Sequence, residues 1–234
     1  DVMLFSNSMN LELTLVNNGK YNVSVIVDDE YIGPTITRGY EWDEWMRHDI
    51  KKHYKKDTDI LDIGANIGYN SLIFSESGPV VSFEPMFHEI LIKNVKQNQL
   101  RHPINVYRCA LSNEKKSMEM FIPNRGCQST TQINYGGTSF HMEEDMKGPG
   151  IIVPCERLDD IYKGTPSIIK IDVEGHELQV LEGAKETIRK YMPMILVEIH
   201  DFTTDNGIHV FLKEMGYMDI PETRPEAMFL YTSA

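Results

Sequence analysis

Hydrophobic and polar residues alternate with a period of two in the first part of the chain. The alternation covers residues 11–15 and 23–27, and the strand-like pattern extends to Ile36. Asn17-Asn18-Gly19 lies between the two runs, and an Asn-Gly pair is a strong signal for a tight turn between antiparallel strands. We therefore expect a β-hairpin, and we assign residues 1–38 to an N-terminal extension built around it.

The rest of the chain alternates between short apolar runs and segments of helical periodicity. Residues 40–54 carry apolar side chains near helical spacing. Strands are predicted at 60–64, 80–84, 104–107, 167–172, 194–199 and 227–231, and helices at 69–75, 87–99, 177–191 and 207–215. Short strands that alternate with helices indicate βαβ units and a mostly parallel sheet, so the predicted fold class of the main domain, residues 39–234, is α/β.

A long polar segment interrupts this alternation. Residues 111–154 are rich in Gly, Ser, Thr and Asn and contain one short strand candidate at 117–122. Connections of this length inside a compact domain are usually functional lids or mobile loops. We expect this insert to cover an acceptor molecule.

Composition narrows the range of functions. The chain has 23 Lys and Arg residues against 35 Asp and Glu, and its net charge of -12 disfavours a nucleic-acid partner. The three cysteines form no C-x-x-C pair, which favours a reducing compartment, and we predict a cytoplasmic location. The sequence shows neither a signal peptide nor an apolar run long enough for a membrane span. Because it does not begin with Met, we expect a domain of a longer polypeptide.

Acidic residues end four of the predicted strands, at Asp62, Glu84, Asp172 and Glu198. Ligands of open α/β sheets bind at the carboxyl ends of the strands. Four carboxylates at one sheet edge are unfavourable unless a ligand, a cation or hydrogen-bond donors compensate their charge. The set therefore predicts a functional site at this edge.

The first strand leads into a glycine-containing turn that departs from a dinucleotide-binding fingerprint. Gly64 opens the turn, but Asn66 and Tyr69 stand where G-x-G-x-x-G has its second and third glycines. Both side chains would crowd a pyrophosphate, and Asp62 would repel it. Glu84 can accept hydrogen bonds from both hydroxyls of a ribose. These features favour S-adenosylmethionine, a cationic nucleoside without phosphate, over a nicotinamide dinucleotide.

Three segments carry a resemblance to a known family. Residues 60–68, 83–85 and 169–177, of which the last contains a K-x-D-x-E-G-x-E run, resemble the FkbM-type S-adenosylmethionine-dependent methyltransferases. Residues 181–184 and 197–200 add to the likeness. The resemblance implies a class I methyltransferase, Rossmann-like fold with a mostly parallel seven-strand sheet and helices on both faces. It also implies methylation of a hydroxyl group on a sugar, such as a deoxyhexose like rhamnose in a glycan, or on another small metabolite.

We assign the expected site residues to four roles. The cofactor residues are Asp62, Gly64, Ala65, Asn66, Gly68, Asn70, Glu84, Pro85, Ala110 and Asp172. The catalytic candidates are Asp172, Lys170 and His200, where Lys170 acts either as a base or as the partner of a carboxylate. The substrate candidates are Glu174, His176, Ser129, Thr130 and Tyr40. A Mg²⁺ or Mn²⁺ site is expected at Asp172, Glu198 and His200.

Other functions remain open at this point. A nicotinamide-dependent oxidoreductase would use a similar sheet, and a non-catalytic module would keep only the pocket. A nucleic-acid methyltransferase is disfavoured by the net charge of -12. The expected partner is a sugar or glycan. This expectation fits a domain of a larger glycan-building protein, such as one of a large DNA virus, fused to glycosyltransferase domains in the host cytoplasm.

Overall fold

The computed structural model describes residues 11–127, 131–199, 207–220 and 228–233. The predicted N-terminal hairpin is confirmed: strands β1 (Leu13–Asn17) and β2 (Asn22–Ile26) pair antiparallel. The strand-like interpretation is wrong near Ile36, because helix α1 (Ile32–Thr37) occupies that segment. The side chain of Asp29 accepts a hydrogen bond of 2.6 Å from the N–H of Gly33 and so satisfies a donor in the first turn of the helix.

A sheet of seven strands forms the centre of the molecule, and the predicted α/β fold is confirmed. From one edge to the other its order is β5-β4-β3-β9-β10-β12-β11, and every strand is parallel except β12. The bounds are β3 (Asp59–Ile63), β4 (Val80–Phe83), β5 (Ile104–Tyr107), β9 (Pro166–Ile171), β10 (Met194–Glu198), β11 (Tyr217–Ile220) and β12 (Met228–Ser233).

Helices cover both faces of this sheet, because the strand residues alternate between two apolar clusters. Ile60 of β3 belongs to one cluster, and its neighbours Leu61 and Ile63 belong to the other. The remaining helices are α2 (Glu44–His53), α3 (Tyr69–Phe74), α4 (His88–Lys96), α5 (Leu158–Ile161), α6 (Glu177–Gly183), α7 (Lys185–Tyr191) and α8 (Gly207–Glu214). None of the helices in the described ranges is long and apolar enough to cross a membrane.

One predicted helix is divided in the structure. The sequence predicts a single helix over 177–191, but α6 and α7 are separate and meet at Ala184. A side chain at Gly183 would place its Cβ 2.0 Å from the carbonyl oxygen of Ser112. This glycine therefore allows the end of α6 to approach the start of the insert.

The insert contains more regular structure than the sequence predicts. Strand β7 (Lys116–Pro123) matches the candidate, but β6 (Ala110–Leu111) and the ten-residue β8 (Lys147–Glu156) were not predicted. The three strands form a second sheet in the order β6-β8-β7. Two glycines and two prolines lie in β8, and such residues normally indicate a loop. Antiparallel pairing with β7 overrides that local signal.

The hairpin is joined to the main sheet by amide side chains of α4. The Oδ1 atom of Asn94 accepts from the N–H of Ser24 at 2.7 Å, and its Nδ2 atom donates to the Ser24 carbonyl at 3.1 Å. The same Nδ2 atom donates to the carbonyl of Ile67 at 2.8 Å, in the turn that follows β3. Hairpin residues such as Val25 share an apolar cluster with the sheet. The domain boundary at residue 38 stays a prediction.

We expect Asn94→Ala to lower the free energy of unfolding by about 2–3 kcal/mol, because it leaves buried backbone groups of β2 and the turn without partners. Urea denaturation would measure the loss. Asn105→Ala, at an exposed position of β5, is the matched control and should leave stability unchanged. An equal effect of both substitutions would show that Asn94 does not hold the hairpin.

Candidate active site

The carboxyl ends of the central strands surround a cavity of about 440 Å³, a volume typical of small-molecule sites. Most of the residues predicted from the sequence line it, and they come from the ends of β3, β4, β9 and β10, from the turns that follow them, and from α3 and β6. These lining residues are Gly64, Ala65, Asn66, Asn70, Glu84, Pro85, Ala110, Lys170, Asp172, Glu174, His176 and Glu198.

Six predicted residues do not belong to this wall as described. Asp62, Gly68 and Tyr40 are described but do not line the cavity. Tyr40 is 66% exposed, and its contact with substrate stays a prediction, whereas Trp42 and Tyr31 line the cavity. The other three predicted residues, Ser129, Thr130 and His200, lie outside the described residues.

Glycines in the turn after β3 permit close packing of backbone against backbone. Gly64 has a φ of +76°, and a Cβ there would lie 1.8 Å from the carbonyl oxygen of Asp172. Only glycine therefore allows the ends of β3 and β9 to approach each other. Gly68 has a φ of +85° and a Cβ there would lie 2.7 Å from the Cγ of Leu91, so Gly68 serves the packing of α3 on α4 rather than the cavity.

Glu84 follows the last residue of β4 and is held by three backbone N–H groups. Its Oε2 atom accepts from Asn66 at 2.8 Å, and its Oε1 atom accepts from Met86 at 2.7 Å and from Phe87 at 3.0 Å. Burial nevertheless dominates and raises the pKa of Glu84 to about 7. The carboxyl group is therefore fixed in position and changes its charge near neutral pH.

Lys170 forms a buried ionic centre beneath the cavity. Its Nζ atom lies 3.2 Å from Oδ2 of Asp172 and 3.5 Å from Oδ1 of Asp62, and it donates to the carbonyl of Gly64 at 3.0 Å. Burial alone would lower the pKa of Lys170, but the carboxylates of Asp172 and Asp62 outweigh it and hold the pKa above its usual range. A lysine that stays protonated is not a general base, so of the two predicted roles the structure supports that of carboxylate partner.

Asp62 takes part in this centre and not in the cavity wall. The side chain is fully buried, and its Oδ2 atom accepts a hydrogen bond of 2.5 Å from the hydroxyl of Ser71 on α3. Asp62, which the sequence analysis assigns to the cofactor, is separated from the cavity, and its role in donor binding stays a prediction.

Three carboxyl groups form an acidic cluster at the ends of β9 and β10. Asp172, Glu174 and Glu198 each offer an oxygen atom within 4.8 Å of the others. Burial, and after it the charges of Asp172 and Glu174, raises the pKa of Glu198 well above its usual range. Glu198 therefore keeps a proton at neutral pH unless a bound cation replaces that proton. The sequence analysis placed Asp172 and Glu198 in a predicted cation site. Within the described residues, Glu174 is the third carboxyl group of this cluster.

His176 connects the cavity to two residues that the sequence analysis missed. One of its ring nitrogens, Nε2, lies 3.0 Å from the hydroxyl of Ser112, and the other, Nδ1, lies 3.1 Å from Nε2 of His141. Burial, together with the nearby His141 and Lys116, lowers the pKa of His176 to about 4, so the ring is neutral at physiological pH. Because His176 is 64 positions from Ser112 and 35 positions from His141, no local pattern could have indicated the chain of hydrogen bonds.

The N-terminal segment and the insert close the cavity together. The N–H of Glu30 donates to the carbonyl of Ile133 at 3.0 Å, and the N–H of Ile133 donates to the carbonyl of Asp28 at 2.9 Å. The hydroxyl of Tyr135, a buried cavity residue, donates to the carboxylate of Asp28 at 3.1 Å. Tyr135 also contacts Phe87 edge to face, with ring centroids 5.9 Å apart.

Residues 62–218 match the Methyltransferase FkbM domain. The chain belongs to the FkbM methyltransferase family. It is therefore a methyltransferase, and the resemblance seen in the sequence is confirmed.

Two curated relatives agree with this assignment. Methyltransferase sdnD of Sordaria araneosa is 26% identical over 199 residues, which cover 71% of this chain and 76% of that protein. The hexuronic acid methyltransferase AglP of Haloferax volcanii is 29% identical over 162 residues, which cover 68% of this chain and 63% of that protein.

The fold also resembles a solved member of the FkbM family. The crystal structure of methyltransferase FkbM from Methylobacillus flagellatus KT superposes with a TM-score of 0.52 at 18% identity. The match covers 76% of this chain but only 44% of the crystallised one, so the present chain corresponds to less than half of that protein. At this identity the likeness concerns the fold alone.

We expect Lys170→Met to lower the free energy of unfolding by about 3–5 kcal/mol, because it leaves the buried carboxylate of Asp62 without a cation. The double variant Asp62→Asn/Lys170→Met should be more stable than the sum of the two single changes predicts. Urea denaturation of the four proteins measures this coupling. Lys51→Met, at an exposed position of α2, is the matched control. Additive losses would contradict the ionic centre.

Proposed function

We propose that this methyltransferase transfers the methyl group of S-adenosylmethionine to a hydroxyl group of a sugar unit. One observation carries the proposal: Glu84 and the acidic cluster line the same cavity. The strands that end near Glu84 and Asp172 are separated by β3, so the two carboxyl groups stand about two strand spacings, or roughly 10 Å, apart. A nucleoside held at one end can therefore present a methyl group at the other.

The donor end of the cavity suits a nucleoside without phosphate. The carboxyl group of Glu84 is held by backbone N–H groups and is placed to accept hydrogen bonds from a ribose diol. The turn from Gly64 to Asn66 and the nearby Ala110 complete this part of the wall. Membership of the FkbM family supports S-adenosylmethionine as the donor. When bound, the donor supplies an electrophilic methyl carbon attached to a sulfonium sulfur. The sulfur-containing part of the donor is the leaving group and becomes a neutral thioether.

The acceptor end can bind and deprotonate an alcohol. The Nζ atom of Lys170 lies 3.2 Å from Oδ2 of Asp172, and the carboxyl group of Asp172 is the one that accepts the hydroxyl proton in this proposal. The proton on Glu198 is shared with Asp172 in a hydrogen bond, and the carboxyl group of Glu198 can accept a hydrogen bond from a second hydroxyl group of the acceptor. As the new oxygen–carbon bond forms, the hydroxyl proton passes to Asp172. Alignment of the reacting atoms contributes the rest of the rate.

A sugar is the acceptor class that these groups suit best. Sugar rings present several neighbouring hydroxyl groups, and the cavity offers Asp172, Glu174 and Glu198 to bind them. The relative from Haloferax volcanii is named for methylation of a hexuronic acid, which is also a sugar. The particular sugar, the cytoplasmic location and a viral or glycosyltransferase-fused context remain predictions from the sequence.

The acidic cluster is also the site we propose for Mg²⁺ or Mn²⁺. Oxygen ligands from Asp172, Glu174 and Glu198 match the preference of these cations, and a cation would replace the proton on Glu198. A bound cation would lower the pKa of an acceptor hydroxyl. His200, predicted as a ligand, lies outside the described residues.

Transfer of labelled methyl groups to a panel of sugars and glycans tests the function. We expect a labelled sugar, and we expect Asp172→Asn to lower kcat at least 100-fold while the donor Kd stays within about threefold. Asp160→Asn, on the exposed side of α5, is the matched control. A chelator, followed by Mg²⁺ or Mn²⁺, tests the cation site in the same assay. Label found in RNA or protein and in no sugar would refute the proposed acceptor.

Donor binding should weaken as the pH falls through 7. Hydroxyl groups of the donor stabilise the ionised form of Glu84, whose pKa in the free protein is about 7, so affinity is highest above this pH. From pH 8 to pH 6 we expect the donor Kd to rise about tenfold, since each unit below the pKa costs a factor of ten in the ionised form. Calorimetric titration measures this change. Glu84→Gln should bind more weakly and without this pH dependence, and an unchanged pH profile in that variant would contradict the assignment.

A further inference from the structure

A second cavity of about 340 Å³ lies beside the active site, within the insert. It lies between the end of β7 and the segment that leads into β8. Its wall includes Met142, Glu143 and Met146 from that segment. None of these three residues lines the active-site cavity. The second cavity is therefore a separate space with residues of its own.

The two cavities meet at the reacting end of the active site. Glu174, a member of the acidic cluster, lines both of them, and so does Asn134. Glu84, at the donor ribose, does not line the second cavity. The second cavity is therefore adjacent to the acidic cluster, where the acceptor hydroxyl is expected, and not to the expected position of the donor ribose.

The wall between the cavities is held firmly. The hydroxyl of Ser139 donates a hydrogen bond of 2.6 Å to the carbonyl of Glu174. His141, in the second cavity, is bonded to His176, in the first, at 3.1 Å. Glu174 and Gly175 both have positive φ values, of 54° and 96°, which turn the chain sharply between the two spaces. These contacts join the residues that line the two cavities.

The chemistry of the second cavity suits a sugar ring and opposes a diphosphate. Asn134 and Glu143 offer hydrogen-bonding groups for hydroxyl edges, and Met142 and Met146 offer apolar surface for the C–H face of a ring. Two carboxyl groups, those of Glu143 and Glu174, lie in this wall. Its arginine, Arg125, lies 3.5 Å from the carboxylate of Asp145 and already has a counter-charge. A polyanion would meet net repulsion here.

We infer that the second cavity binds the sugar unit next to the one that is methylated. The natural acceptor is then a sugar already joined by a glycosidic bond to a further unit, and not a nucleoside diphosphate sugar. Methylation follows a glycosyl transfer, the class of reaction that must supply this substrate. This inference rests on the proposed function, because it assumes that the acceptor hydroxyl belongs to a sugar.

Three acceptors that carry the same reactive sugar test the inference: its methyl glycoside, a disaccharide and its nucleoside diphosphate derivative. With the wild-type enzyme we expect kcat/KM for the disaccharide to exceed that for the methyl glycoside at least tenfold. The nucleoside diphosphate sugar should be the poorest of the three. Met142→Trp fills the second cavity. It should therefore reduce the ratio of kcat/KM for the disaccharide to kcat/KM for the methyl glycoside to about one.

Matched variants separate a filled cavity from a damaged fold. Met218→Trp makes the same change at a side chain that is 56% exposed and lines neither cavity, so it should keep the wild-type ratio. Melting temperature and donor Kd report whether Met142→Trp is folded. If it is not, Glu143→Gln, at an exposed position, should lower the ratio about threefold.

The outcomes distinguish this inference from the proposed function. Equal kcat/KM for disaccharide and methyl glycoside, a preference for the nucleoside diphosphate sugar, or a wild-type ratio in folded Met142→Trp would overturn the second-unit site while sugar methylation stands. Absence of methyl transfer to every sugar would overturn both.

Discussion

The ammonium group of Lys170 is the charge on which the active-site region depends. It is buried between the carboxyl groups of Asp62 and Asp172 and donates to the carbonyl of Gly64. A buried charge without partners is strongly unfavourable, so each of these groups requires the others. The contacts connect the adjacent strands β3 and β9 at their carboxyl ends, where the cavity begins. The acidic cluster can gather beside Asp172 because a cation lies directly beneath it.

Hydrogen bonds between distant segments complete the site around this centre. The N-terminal segment and the insert pair through Glu30 and Ile133, and α4 holds the hairpin and the turn after β3 through Asn94. The hairpin lies outside the family match, which begins at residue 62, yet its following segment supplies Tyr31 and Ile32 to the cavity wall. In this chain the cavity is therefore built jointly by the family domain and the residues that precede it.

Three of the four predicted strand-end acids line the cavity, including Glu198 as the last residue of β10, and Asp62 does not. Glu84 and Asp172 come directly after the last residues of β4 and β9, and both line the cavity. Asp62 comes one residue before the end of β3, so its side chain points into the layer between the sheet and α3. From the sequence alone these positions look equivalent, because strand ends are predicted from apolar runs only to within about two to four residues.

Local patterns were sufficient for the buried parallel strands and for the turn at Gly64, because apolar runs and glycine requirements act through neighbours in the chain. They failed for β8, where a partner strand imposes an extended form on a segment rich in Gly and Pro. They also could not assign protonation states. The neutral His176, the charged Lys170 and the proton on Glu198 follow from burial and from charges that only folding brings within a few ångströms, since electrostatic energy depends on distance in space and not on distance along the chain.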